Sequence, residues 1–373
     1  MTPFPIFGTP FLVWSAILKK MNFKEIVTLA ECSRRTYKMV KAAYRKRNII
    51  DILSGWPIKR TPLNILQYLR FLSPLVEPVT LTILITDPVE FTISIRHSSK
   101  IYDFKVIFTT PIPRTCRVIS CGQWKMLGRL SDDDMTVTTY WNNRRYGIIQ
   151  FLDYLEASRE DLNLKIENLE LNGDVLFEDF PEIMKLTTNW IHSKKVEVQN
   201  LRLLEKLNQK DFEHLFYRIQ PTVSLTSNAK TIPVFRVDQI SEQHQFKMRR
   251  LALCPGNWFT FENLMNCDCV TIDISSCQFD ERNILEFLKH WREGKRWEKL
   301  KKLALVLSHG VIVEKILKVL QKDRSPLRIH IDDMFSYIEH KDGAVARITS
   351  RDGNLQLTHL LTIDVLPQSS HQW

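Results

Sequence analysis

Glycine is scarce in this sequence, which has 11 glycines among its 373 residues. None of them falls in a GxGxxG or GxxxxGKS/T pattern, in which glycines let the backbone close around phosphate groups. The lack of such loops argues against the common classes of nucleotide-using enzyme. No local signature of a catalytic serine or cysteine is present either.

Cysteines are also few, and their number, seven, is odd. A disulfide framework is therefore not expected, and a reducing compartment is favoured. Cys267, Cys269 and Cys277 could be combined with His290 into a zinc site, but the first pair has C-x-C spacing and no second pair follows. We interpret these cysteines as small buried residues, and we expect no metal and no other cofactor.

Long apolar runs are missing. The longest run near the start, residues 11–18, is followed by Lys19-Lys20 and preceded by no basic residue, the reverse of a signal peptide. No run approaches the roughly 18 apolar residues that a membrane-spanning helix needs. We therefore expect an intracellular protein, cytoplasmic, nuclear or both, with no membrane partner.

Charge is distributed unevenly along the chain. The formal net charge is +10, and residues 1–50 contain ten basic and two acidic residues, so that +8 lies there. Such a basic module could bind an acidic protein or phosphate, or it could be a solvated helix face. Tyr37 and Tyr44 fall at helical spacing on its inner side and do not form a stacking platform, so nucleic acid is an unlikely partner.

The pattern of residues divides the chain into four regions. Residues 9–47 have the apolar spacing of three consecutive short helices. Four prolines follow in a connector with one short helix, and then come β-rich runs at 79–86, 89–96 and 101–109. The predicted domains are 1–50, 51–78 (a linker), 79–145 (a β-rich segment) and 146–373.

From residue 146 onwards, helices and strands alternate. Helices are predicted near 147–158, 179–193, 209–219, 258–265, 281–293 and 310–322. The corresponding strand positions are Leu169, Leu201, Val223, Leu251, Ile272 and Leu303. Their separation brackets that of leucine-rich repeats but is irregular, so we expect a curved repeat-like stack of strands and helices, and an ordinary α/β domain stays open. Asp342-Gly343 and Asp352-Gly353 predict C-terminal β-hairpins that close it.

The first fifty residues resemble an F-box, a three-helix module that docks onto a ubiquitin-ligase adaptor. Thr9 stands where the F-box usually has leucine. The matching residues are Pro10, Leu12-Val13, Ile17-Leu18, Ile26, Leu29 and Cys32-Ser33-Arg34. The rest of the chain is similar to the type 2 F-box-associated domain of a large nematode family, in residues 257–265, 284–291, 335–338 and 341–343.

The resemblance implies an α+β fold in which an N-terminal three-helix F-box precedes an irregular leucine-rich-repeat-like α/β domain closed by C-terminal β-hairpins. It also implies which residues bind the adaptor. Helix one has more apolar residues than the single stripe that packs inside the module, and the additional ones could contact a partner groove. The expected adaptor contacts are Pro10, Leu12, Val13, Ile17 and Leu18. The expected F-box core is Trp14, Met21, Ile26, Leu29 and Tyr37.

The function that follows is the substrate-recognition subunit of a Skp–cullin–F-box type E3 ubiquitin ligase, which is not itself an enzyme. Its partners would be a Skp-type adaptor, through it a cullin, and a protein substrate that the sequence does not identify. The substrate-binding residues are likewise not assigned. Two alternatives stay open: an interaction scaffold outside any ligase and, more weakly, nucleic-acid binding through the basic first module.

Overall fold

The computed structural model of this chain describes residues 80–97, 100–110, 112–113, 116–121, 124–130, 136–162, 164–172, 179–204, 207, 209–228, 246–307, 313–322, 329–331, 336–352 and 359–366. The chain divides into two units, one that takes in Asp87–Lys165 and one that takes in Ile166–Trp373. The predicted three helices at 9–47 lie outside the described residues, as do all the expected adaptor contacts and F-box core positions.

The first unit is a six-stranded mixed sheet in the order β1-β2-β3-β6-β5-β4 with one helix. Strands β3 and β6 pair in parallel, while β2–β3, β4–β5 and β5–β6 are antiparallel. Phe91, Phe108 and Phe151 form its aromatic core, with ring centroids 5.0–5.6 Å apart. Its elements are β1 (Thr80–Ile85), β2 (Val89–His97), β3 (Lys100–Thr109), β4 (Arg117–Cys121), β5 (Trp124–Leu130), β6 (Thr136–Tyr140) and α1 (Arg144–Leu162).

The second unit contains the remaining ten strands, which follow the order β7-β8-β9-β10-β11-β12-β16-β15-β14-β13. Parallel pairing runs through β7–β12, and antiparallel pairing continues from β12 to β13. Its elements are β7 (Lys165–Asn172), α2 (Phe180–Ser193), β8 (Val198–Leu204), α3 (Gln209–Arg218), β9 (Ser224–Ser227), β10 (Arg250–Leu253), α4 (Phe261–Met265), β11 (Thr271–Cys277), α5 (Glu281–Arg292), β12 (Lys302–Leu307), α6 (Val313–Lys322), β13 (Ile329–Ile331), β14 (Ser336–Glu339), β15 (Val345–Asp352) and β16 (His359–Leu366).

Aliphatic side chains in register across the parallel strands form the core of the second unit. Because side chains alternate between the two faces of a strand, every second row of the sheet is buried. One such row is fully aliphatic and at most 2% exposed; it consists of Leu169, Leu201, Leu225, Leu251, Ile272 and Leu303. The sequence placed Val223 in this row, which is wrong. The pairing of Ser224 with Asn200 sets Leu225 beside Leu201 and leaves Val223 39% exposed.

The fold class predicted from the sequence, an N-terminal three-helix F-box followed by a leucine-rich-repeat-like domain closed by hairpins, is wrong. Mixed β-sheet dominates the described chain, with sixteen strands and six helices, and no N-terminal three-helix bundle is among the described residues. The expected stack of helices and strands did not foresee that antiparallel pairing, as in β2–β3, β4–β5 and β14–β15, makes up so much of the sheet. The C-terminal strands do pair antiparallel, β14 with β15 and β15 with β16, and β16 pairs with β12, so that they continue the sheet.

The six helices predicted from residue 146 onwards are confirmed, and α5 is the best defined of them. Asp280 caps its start: its carboxylate accepts the Asn283 amide proton at 2.8 Å, and the Asn283 side chain accepts from the Asp280 amide. At its end Gly294 has φ +61° and donates to the Trp291 carbonyl, while Lys295 donates to the His290 carbonyl. These two bonds form the Schellman motif, which requires a left-handed residue at this point.

Replacement of Gly294 by alanine should destabilise the protein by about 1–2 kcal/mol, the cost of a left-handed conformation for a residue with a Cβ atom. The new Cβ would also meet the end of the Lys341 side chain, which is flexible and can move aside. Gly343→Ala is the matched control, since φ is +86° there and no atom lies within 4 Å. Denaturant unfolding should show similar losses for both variants. A loss several times larger at Gly294 would mean that the Lys341 contact is rigid.

Candidate protein-interaction site

A cavity of about 250 Å³ lies in the second unit, between β8, β9, the end of α3 and the segment directly before β10. Its apolar lining is Leu201, Phe216, Ile219, Pro221, Leu225, Phe246 and Met248. Its polar lining is Gln220, Thr222 and Lys247, and all three are exposed to solvent. The cavity is therefore an apolar pocket with a polar mouth.

The inner end of the pocket is built on an aromatic cluster. Phe216 and Phe246 meet edge to face with ring centroids 6.1 Å apart, and Trp258 lies 5.6 Å from Phe216 and 4.9 Å from Phe212. Trp258 is only 1% exposed. Because these rings interlock edge to face, they keep the two sides of the pocket at a fixed separation.

One wall of the pocket, residues 246–248, is held in place by the segment before β11. The Phe246 carbonyl accepts the Asp268 amide at 2.8 Å and the Cys269 thiol at 3.3 Å. The Cys269 sulfur also lies 3.6 Å from the Met248 sulfur. These contacts hold the Phe246 backbone and the Met248 side chain on either side of Lys247, whose own side chain is exposed at the mouth.

Five exposed cations lie where the parallel strands begin, and we call this group the basic edge. Its members are Lys247, Arg249, Arg250, Lys301 and Lys302. None of the five forms an ion pair with another residue of the described ranges. A sixth cation, Lys299, is paired with Asp268 at 2.7 Å, and this hydrogen bond raises the pKa of Lys299.

Backbone pairing brings these cations together although they are far apart in sequence. The Arg249 carbonyl accepts the Val270 amide at 3.0 Å, and the Val270 carbonyl accepts the Lys301 amide at 2.8 Å. Arg250 and Lys302 both stand in register with Thr271, one on each side of it. With about 4.8 Å between neighbouring strands, their Cα atoms are about 10 Å apart.

The exposed rows on the outer face of the same strands have a different electrostatic character. Their charges are paired between neighbouring strands: Arg202 lies 3.4 Å from Glu170, and Arg347 lies 3.3 Å from Asp364. Ser224 and Asn200 are likewise joined by a hydrogen bond of 2.7 Å. The face is therefore polar, and Arg250 and Lys302 of the basic edge belong to it, since they stand in register with Ser224 and Asp364 respectively.

The predicted burial of Cys267, Cys269 and Cys277 is confirmed. Burial raises the pKa of Cys277 to about 12 and raises that of Cys267 well above its ordinary value. Among the described residues, no group of three or more His, Cys, Asp or Glu side chains is arranged to hold a metal ion. Of the helices that the structure describes, none has both the length and the apolar character to cross a membrane.

The pocket and the basic edge were missed by the sequence analysis, which found the chain beyond residue 50 nearly neutral. A signal was present, because basic residues stand directly at the starts of two predicted strands, at Arg249-Arg250 and Lys301-Lys302. What the sequence did not show is that these two starts lie two strands apart in the sheet.

The comparison with protein families bears on this same segment. Residues 240–305 match a family model described as F-box associated. The match includes the pocket wall at 246–248, all five cations of the basic edge and the predicted stretches 257–265 and 284–291. The resemblance of this segment to an F-box-associated domain is thus confirmed, and the match does not extend to residues 1–50. No curated protein and no solved structure matches the chain significantly.

The buried cysteines should be nearly inert in the native protein, since only the thiolate reacts with alkylating agents. With a pKa of about 12, Cys277 would be about one part in 10⁴ thiolate at pH 8. We expect iodoacetamide to label the exposed Cys254 at least ten times faster than Cys267, Cys269 and Cys277, as measured by peptide mass spectrometry. In guanidinium chloride the four rates should converge. Equal native rates at Cys254 and Cys277 would contradict the burial.

Proposed function

We propose that this chain is the substrate-recognition subunit of a Skp–cullin–F-box type ubiquitin ligase, an F-box protein of the nematode type. The observation that carries this proposal is the F-box-associated match at residues 240–305. A domain of this kind works beside an F-box, which connects it to the ligase. The resemblance of residues 1–50 to an F-box supplies that second part.

In this proposal the N-terminal region binds the adaptor and the second unit binds the substrate. The first helix inserts apolar side chains into a Skp-type adaptor, which bridges to a cullin. The residues concerned are Pro10, Leu12, Val13, Ile17 and Leu18, supported by a core of Trp14, Met21, Ile26, Leu29 and Tyr37. The second unit holds the substrate, and the ubiquitin-transfer chemistry belongs to the partner enzymes. The complex acts inside the cell, in the cytoplasm or the nucleus.

The construction of the second unit supports a binding role. Its fully buried aliphatic row and in-register parallel strands make a rigid support, and the pocket and basic edge are presented at one margin of it. A rigid receptor loses little conformational entropy when it binds, so more of the contact energy appears as affinity. A receptor of this kind needs only to hold a substrate long enough for its lysines to be modified.

Replacement of both Pro10 and Ile17 by glutamate in the full chain should abolish co-purification with a Skp-type adaptor. Two charges would have to be buried in an apolar groove, at a cost of several kcal/mol without compensating partners. The matched control is the double variant Arg250→Glu, Lys302→Glu, which changes two exposed residues of the second unit and should keep the adaptor. Circular dichroism and thermal melting would verify that both variants fold.

Two results would contradict the proposal. Retention of the adaptor by the Pro10→Glu, Ile17→Glu variant would show that the first helix is not the docking element. Adaptor binding without any ubiquitination, in a reconstituted reaction with a cullin, a RING subunit and proteins captured by the chain, would favour the scaffold outside a ligase. A steep loss of RNA or DNA binding with added salt would instead support the nucleic-acid alternative.

A further inference from the structure

We propose that the pocket in the second unit binds a small amphipathic carboxylate, whose apolar body of about eight to ten carbon atoms fills the cavity and whose carboxylate stays at the mouth beside Lys247. This inference goes beyond the proposed function, since it needs neither an adaptor nor a protein substrate. Every residue that it uses lines the pocket or holds one of its walls.

The volume of the pocket sets the size of the ligand. Sites for cofactors and drug-sized molecules enclose about 300–1,000 Å³, and the cavity here is smaller, at about 250 Å³. An apolar protein cavity of about 150 Å³ binds benzene, a ring of six carbon atoms. By proportion, the cavity here has room for about ten carbon atoms. A single leucine side chain would leave much of it empty.

The interior of the pocket is apolar, and backbone groups that border it are already engaged. The Thr222 amide donates to the Val198 carbonyl at 2.9 Å, and the Ile219 amide donates to the Leu215 carbonyl at 2.8 Å. The Phe246 carbonyl in another wall accepts the two donors described above. A buried water needs about two to four polar partners, and groups that are already bonded hold it poorly. An apolar body that displaces such loosely held water gains affinity.

The walls of the pocket are held by contacts within the protein. Phe216 and Phe246 meet edge to face at 6.1 Å, and Trp258 packs against Phe216 at 5.6 Å. The sulfur atoms of Cys269 and Met248 lie 3.6 Å apart at the remaining wall. A ligand that enters a preformed pocket spends little of its binding energy on ordering the walls.

Lys247 determines the charge of the head group. It lines the mouth, its side chain is exposed, and it forms no ion pair with another described residue. Gln220 and Thr222 add an amide and a hydroxyl to the same mouth. The carboxylate of Glu197 accepts the Thr222 hydroxyl at 3.3 Å, and Glu197 does not line the cavity. A carboxylate head group therefore meets a cation, whereas an amine would be repelled by it.

The test measures binding of the full chain to straight-chain carboxylates from hexanoate to dodecanoate, by isothermal titration calorimetry below the concentrations at which they form micelles. Each added CH₂ should strengthen binding about fourfold, which corresponds to about 0.8 kcal/mol per buried CH₂. The gain should fall below about twofold per CH₂ beyond about ten carbon atoms, because the pocket is then full. The heat-capacity change of binding should be negative, as burial of apolar surface requires.

Methyl NMR of the methionines checks where the ligand binds. The chain has nine methionines, and Met248 lines the pocket. A Met248→Leu variant identifies its signal in protein labelled with carbon-13 at the methionine methyl groups. The probe is 5-phenylpentanoate, whose ring current should shift the Met248 signal more than any other methionine signal.

Three variants separate the head group from the apolar body. Lys247→Glu should weaken octanoate binding about fivefold, the effect of an exposed ion pair that is lost and reversed, and should not weaken octylamine. Thr222→Trp, at an exposed position of the mouth, should obstruct the entrance and weaken both ligands. Lys210→Glu is the matched control, an exposed cation at the opposite end of α3, and should leave both affinities unchanged. Circular dichroism verifies that all three variants fold.

The proposal is overturned if affinity does not rise with chain length, if octylamine binds the unmodified chain as tightly as octanoate, or if Lys210→Glu weakens octanoate as much as Lys247→Glu does. It is also overturned if a carboxylate binds while the Met248 signal stays in place, since the ligand then lies elsewhere. None of these outcomes bears on adaptor binding, which the Pro10→Glu, Ile17→Glu variant tests separately.

Discussion

In-register parallel pairing from β7 to β12 is the constraint on which the second unit depends. Each strand presents an aliphatic residue at the same level, so a buried row forms without any long-range pattern in the sequence. The same register aligns the strand starts, and whatever residues precede the buried row are brought into a line at one margin. The buried row and the aligned strand starts thus follow from the same pairing. A register shift of one residue in a strand would move its buried side chains to the exposed face and its exposed side chains to the buried face.

The apolar walls of the pocket are held by contacts of three different kinds. Leu201 and Leu225 are fixed by strand pairing, Phe216 by the aromatic cluster around Trp258, and Phe246 by hydrogen bonds from the segment before β11. Protein interiors close small voids when neighbouring side chains can shift, and these contacts oppose such shifts. An apolar opening that persists at the surface is a feature that interaction sites use.

Local features of the fold could be predicted from the sequence, whereas features made by pairing could not. Asp280 and Gly294 mark the two ends of α5 through bonds that span only a few residues, and both predictions are confirmed. The assignment of Val223 to the buried row failed because the offset of two residues is set by Asn200 on another strand. The fold class failed for the same reason: strand order and the antiparallel extension through β16 involve residues about 60 positions apart.

The charges of the outer face differ in how they are paired along the strands. On the face, Arg202 and Arg347 already have carboxylates from neighbouring strands, so an incoming charge would have to displace an existing pair and gain little. At the strand starts, Arg250 stands in register with Ser224 and Thr271, and Lys302 with Thr271 and Asp364, yet neither cation forms an ion pair with a described residue, and both are exposed. Within one face of the described sheet, some cations are therefore already paired across strands, whereas those at the strand starts are not, and a partner's carboxylate would gain more at the strand starts than at Arg202 or Arg347.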